Sequence, residues 1–229
     1  MSSKLLLLFM GTFLLVQSSF GKALSSSEES ENIVEPTFQP DLKYEIETPG
    51  EKLVYYVLAQ MSKVSESGLE YGKKILQNVI AEISAQDEKN EEITARLEEY
   101  SNLVAEIEKL QTDGNSDEYI DKMELMAELV YLIYKANITL IEKPSSIDEL
   151  FEESLQKNGL SDVHQHINKK FVEVFGNEFY ETADRILKSA TIEEWPEKTE
   201  IQDWLEKFKI ENDVEKKNEL LEQFFDFYQ

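Results

Sequence analysis

The five prolines stand at positions 36, 40, 49, 144 and 196, and none interrupts a run of helically spaced apolar residues. Proline lacks an amide hydrogen and its ring clashes with the preceding helical turn. Breakers that fall only between periodic segments therefore mark helix ends. From 50 to 143 nothing of this kind stops a helix, and no strand-like alternation competes with the 3.6-residue period. The fold class expected is all-α: a bundle of about six to seven helices behind a disordered acidic N-terminal arm.

The first helix has a well-marked start. Thr48 can cap, Pro49 suits the first helical position, and Glu51 lies three residues after the cap. Leu53, Val57, Met61, Val64, Leu76, Val79 and Ile83 keep the spacing. Gly68 and Gly72 share a face, either as a break or as a notch in one long helix; the continuous helix is preferred. A second helix, about Lys89 to Gln111, carries Ile93, Leu97, Tyr100, Val104 and Ile107 in steps of three and four. Ser146 with Glu149 forms a capping box for a short helix ended by Asn158-Gly159. Ser161 to Ala190 is helical, with Gly176 a candidate break. Two more helices follow, one with Ile201, Trp204, Leu205 and Phe208, the last opened by Asn212 and Glu215.

Ser116 to Ile141 is the most apolar stretch after the N-terminus and is expected to be the central helix, the spine of the bundle. On a helical wheel Tyr119, Met123, Met126, Val130, Ile133, Tyr134 and Ile141 lie on one face with Asn137, and Glu124, Glu128, Lys135 and Glu142 form a polar strip opposite. Asn137-Ile138-Thr139 fits the N-glycosylation sequon. A glycan cannot enter a packed face, so Asn137 is expected to be a buried, unmodified amide.

The chain opens with Lys4, an apolar run from Leu5 to Val16 and small residues at Ser19 and Gly21. That order is a secretory signal peptide, and its apolar run is too short to span a bilayer. The expected organisation is a signal peptide over 1–21, a disordered acidic arm over 22–48, an N-terminal helical lobe over 49–143 and a C-terminal helical lobe over 144–229 packed on the first. The protein is expected to be secreted, with no transmembrane segment once the signal is removed. In the arm, Leu24-Ser25-Ser26-Ser27-Glu28-Glu29-Ser30 resembles the phosphoserine clusters of caseins and related secreted phosphoproteins. The resemblance covers these seven residues. It implies phosphorylation of Ser26 and Ser27, and of Ser25 once Ser27 carries phosphate, and hence oxygens that attract calcium. An ordinary acidic tail is the alternative.

Lys and Arg number 23 against 47 Asp and Glu, a formal net charge of −24. Such a chain repels phosphate backbones and anionic lipid, which argues against nucleic acid as a ligand. It attracts basic partners. There is no cysteine, so disulfides, thiolate metal sites and cysteine nucleophiles are excluded, and stability has to come from helix packing.

No motif carries catalytic chemistry. His164 and His166, the only histidines, point about 200° apart on a helix and cannot chelate one metal from it. The adjacent Glu pairs diverge in the same way. Neither a phosphate-cradling Gly-rich loop nor a Gly-x-Ser-x-Gly turn is present. Phe224, Phe225, Phe227 and Tyr228 make the C-terminus too apolar to be fully solvated, so it docks on the bundle or binds a partner. The function expected is non-enzymatic binding of an extracellular protein or basic partner, with no cofactor. A carrier of a lipid-like ligand and a calcium-associated phosphoprotein are the alternatives.

Overall fold

The computed structural model describes residues 48–86, 90–110, 116–136, 143–191 and 195–228. The signal segment, nearly all of the arm with Ser25, Ser26 and Ser27, and Asn137 lie outside them. The described residues hold eight α-helices and no strand.

Helix α1 (Pro49–Ser84) is unbroken. At 1.5 Å per residue it is about 54 Å long. Its start is the expected capping box: the Glu51 amide donates to Thr48 Oγ1 at 3.2 Å, and the Thr48 amide donates to Glu51 Oε2 at 2.9 Å. Gly68 and Gly72 form a notch rather than a break. A Cβ on Gly68 would lie 2.8 Å from Met126 Cε, and one on Gly72 would lie 2.9 Å from Leu129 Cδ1. The missing side chains let the third helix seat these two residues against the α1 backbone.

Helix α2 (Glu91–Lys109) is capped by Asn90, whose Oδ1 accepts from the Ile93 amide at 2.9 Å. Helix α3 is Ser116–Lys135, and α4 is Ser146–Lys157. The α4 cap is Ser145 with Asp148, one residue before the expected frame. Both frames fit the capping pattern. Arg96 of α2 donates to Asp148 Oδ1 at 2.8 Å, so the adopted frame also gains a tertiary anchor. Gly159, at φ 101°, takes the left-handed turn after Asn158. A 3₁₀ turn at Leu160–Asp162 leads into α5 (Val163–Val174), and Gly176 separates it from α6 (Asn177–Lys188). Helices α7 (Lys198–Ile210) and α8 (Val214–Asp226) complete the order. Asp213, not Asn212, caps α8: its Oδ1 accepts from the Glu215 and Lys216 amides, while the Glu211 carboxylate holds the amides of Asn212 and Asp213.

The spine is α1 and not α3. Helix α1 packs against α2, α3, α4, α5 and α6, whereas α3 packs on α1 and less extensively on α2. Met123, Met126, Val130 and Ile133 are buried as expected, but Tyr134 is 37% exposed. It stands at the rim of the apolar face. Lys122 is the converse, 5% exposed with Nζ 3.2 Å from Glu66 Oε2 of α1.

The apolar core is one cluster that runs through all eight helices. Helix α1, in the stretch expected as the N-terminal lobe, also packs against α4, α5 and α6. Phe175, Phe179 and Phe208 form an edge-to-face aromatic block on which Phe171 packs at a tilt, and the α7–α8 hairpin closes over it.

Candidate functional site

The C-terminal aromatics divide. Phe224 and Phe225 are buried; the Phe224 ring lies 4.8 Å from Trp204, which stacks on Phe208 at 5.2 Å. The Trp204 indole N–H donates to the Leu220 carbonyl, tying α7 to α8. Phe227 is half-buried. Tyr228 is 39% exposed, and burial, followed by repulsion from Glu197, pushes its hydroxyl pKa up. The segment docks on the bundle, and Tyr228 is its main exposed part.

The two histidines diverge to different partners. His164 Nε2 meets Asn168 Nδ2 at 2.9 Å, and burial lowers its pKa against the opposing pull of Glu215 on α8. His166 Nε2 meets Ser67 Oγ at 3.0 Å, and its ring stacks on Tyr71 with centroids 4.5 Å apart. A serine beside a histidine is the start of a nucleophilic site. Here Ser67 lies within α1, whose amides are engaged in the helix, so no free N–H pair faces a developing oxyanion. Among the described residues no carboxylate bonds the second nitrogen of His166. The geometry is that of a polar link between α1 and α5.

Carboxylates are used in the same structural way. Glu82 accepts from Ser154 at 2.9 Å, Lys157 at 2.5 Å and Asn158 at 3.0 Å, joining the end of α1 to the end of α4. The lysine bond, then the serine bond, lowers its pKa. Asp148 is held down at about 2, first by the Ser145 amide and then by Arg96. Arg96 also lies over the Phe151 ring, 4.9 Å from its centroid. No group of three or more acidic or histidine side chains among the described residues is arranged to hold a metal ion.

A lysine closes the aromatic block. Lys217 Nζ donates to Tyr180 Oη at 2.7 Å and sits 5.4 and 5.3 Å from the Tyr180 and Phe208 ring centroids. Tyr180 Oη donates to the Phe208 carbonyl at 3.3 Å, and burial pushes its pKa up to about 12. Burial lowers the Lys217 pKa, whereas the ring faces and the hydroxyl acceptor favour the ammonium.

The outside of α3 is one surface with little internal use. Asp121, Glu124 and Glu128 are exposed there and make no ion pair among the described residues, while Lys135 is taken by Glu99 of α2 at 3.0 Å. Tyr131 stands among them, 61% exposed, with Tyr134 beside it. The acidic strip is legible on a helical wheel. Tyr131 lies about 20° from Glu124 on the same wheel, inside the acidic strip and away from the apolar face. An open surface depression is lined by Asn90, Glu91, Thr94, Ala95 and Glu98. No helix among the described residues is long and apolar enough to cross a membrane.

No protein-family model, no curated protein and no solved structure matches this chain.

Proposed function

We infer that the protein is exported and acts without catalysis, by binding a basic macromolecule outside the cell. The observation that carries this reading is charge that the fold does not consume. The chain has a net charge of −24, and removal of Lys4 with the signal makes it one unit more negative. Part of that charge stands on the outside of α3 with no ion pair among the described residues. The Ser–His contact and the carboxylate clusters are tied into helix packing, which supports a binding role over a catalytic one. The amino-terminal segment, with its lysine, short apolar run and small residues, supports export.

The test is affinity capture from extracellular fluid with the mature chain, begun after N-terminal sequencing of exported material. The expected start is near Lys22, and the expected catch is a basic protein released in rising salt, since Debye screening removes such contacts. A mature chain beginning at Met1 contradicts export. A stoichiometric lipid in a solvent extract of the purified protein would replace the binding reading with the carrier reading.

A further inference from the structure

The geometry points to the outer face of α3 as a docking surface for an arginine-containing segment of a partner protein, with Tyr131 and Tyr134 as stacking platforms and Asp121, Glu124 and Glu128 as anion partners. This rests on the binding reading above and assigns it a place.

Two independent features converge on the strip. The first is aromatic exposure. Leu129, Val130, Leu132 and Ile133 are buried on the same helix, yet Tyr131 is 61% exposed among carboxylates. Tyrosine supplies rigid contact area and a hydroxyl, and it is enriched where interfaces form. The second is unspent charge. Some surface charges pair along helices, as in Lys73–Glu70, Lys109–Glu106, Lys170–Glu173 and Lys188–Asp184. Glu200, Asp203 and Glu206 of α7 are as unpaired among the described residues as the α3 carboxylates, and the exposed tyrosines are what set the α3 strip apart. On α3 the one cation of the strip, Lys135, is bound away to α2.

The spacing sets the occupant. Glu128 and Tyr131 are three residues apart, so they are neighbours on the helix surface. A guanidinium stacked on the ring reaches that carboxylate in the same plane, the contact that arginine makes better than lysine. Glu124 and Asp121 repeat the anion about one turn further on, so a second cation of the same segment has its own partner. A second copy of this chain is disfavoured by its own net charge of −24, which also repels nucleic acid and anionic lipid.

Fluorescein-labelled octa-arginine is the probe, titrated by anisotropy at physiological salt against the mature chain. Three double variants are compared, all at exposed positions and checked for helicity. Tyr131→Ala with Tyr134→Ala leaves the charge unchanged and is expected to weaken binding about tenfold. Glu124→Gln with Glu128→Gln is expected to weaken it at least as much. Glu206→Gln with Glu219→Gln removes the same charge from α7 and α8 and is expected to change Kd by less than about twofold. If the tyrosine pair has no effect, or the α7–α8 pair matches the α3 pair, the surface assignment is wrong while binding of basic partners stands. If the unchanged protein does not bind the peptide, both are overturned.

Discussion

Within the continuous apolar core, single polar side chains fix how one helix meets the next. Asp148 is the clearest case. It completes the α4 capping box and accepts from Arg96, which in turn covers Phe151. Its folded pKa of about 2 lies below the ordinary carboxylate value of 3.8. A depressed carboxylate contributes stability above its unfolded pKa and loses it as pH falls through the folded one. Between about pH 4 and pH 2 the melting temperature of the unchanged protein should therefore fall more steeply than that of Asp148→Asn; parallel curves in that window would show that the carboxylate is not held this way. None of this was legible beforehand. Arg96 and Asp148 lie 52 positions apart, and Lys217 and Tyr180 lie 37 apart. Periodicity reports what a helix turns inward, not which residue waits there.

The helices themselves were largely legible, because their signals are local. Thr48, Pro49 and Glu51 specify the start of α1, Asn158-Gly159 the end of α4, and Gly176 the break before α6. The caps of α4 and α8 shifted by one residue where two capping frames overlap; Arg96 anchors the adopted frame at α4, and the Glu211 carboxylate braces it locally at α8. The ranking of helices was not legible. Helix α3 looked central because it is the most apolar, but α1 has more neighbours. Its inner positions include Gly50, Gln60, Ser62, Ser65, Gly68 and Gly72, which are buried without being hydrophobic. Small residues mark close approach, and apolar counting misses them. Two measurements follow. Gly72→Ala should destabilise by about 1–3 kcal/mol in urea denaturation through overpacking against Leu129. At an open helical site the same change would stabilise by about 1 kcal/mol, and a gain here would remove the notch. On α3, Val130→Asp should cost about 3–5 kcal/mol, whereas its neighbour Tyr131→Gln should stay within about 0.5 kcal/mol. Similar losses at both positions would mean that α3 has no solvent face.

At the scale of the molecule, the sequence suggested two lobes meeting near Pro144, and α1 bears on both. It packs on α2 and α3 before that proline and on α4, α5 and α6 after it, and the apolar core is continuous across it. The acidic outer surface is then carried by one body, with the free face of α3 held on the same helix that anchors the C-terminal half. With no disulfide to staple either half, both depend on burial against α1. Native-state hydrogen exchange tests this directly. The slowest amides of α2 and α3, those of α5 and α6, and those of α1 from Leu53 to Ile83 should all open with one shared free energy and one shared response to denaturant. Two separate opening free energies, one for 49–143 and another for 144–228, or rapid exchange in α1 around Gly68 and Gly72, would contradict a bundle organised on a single continuous helix.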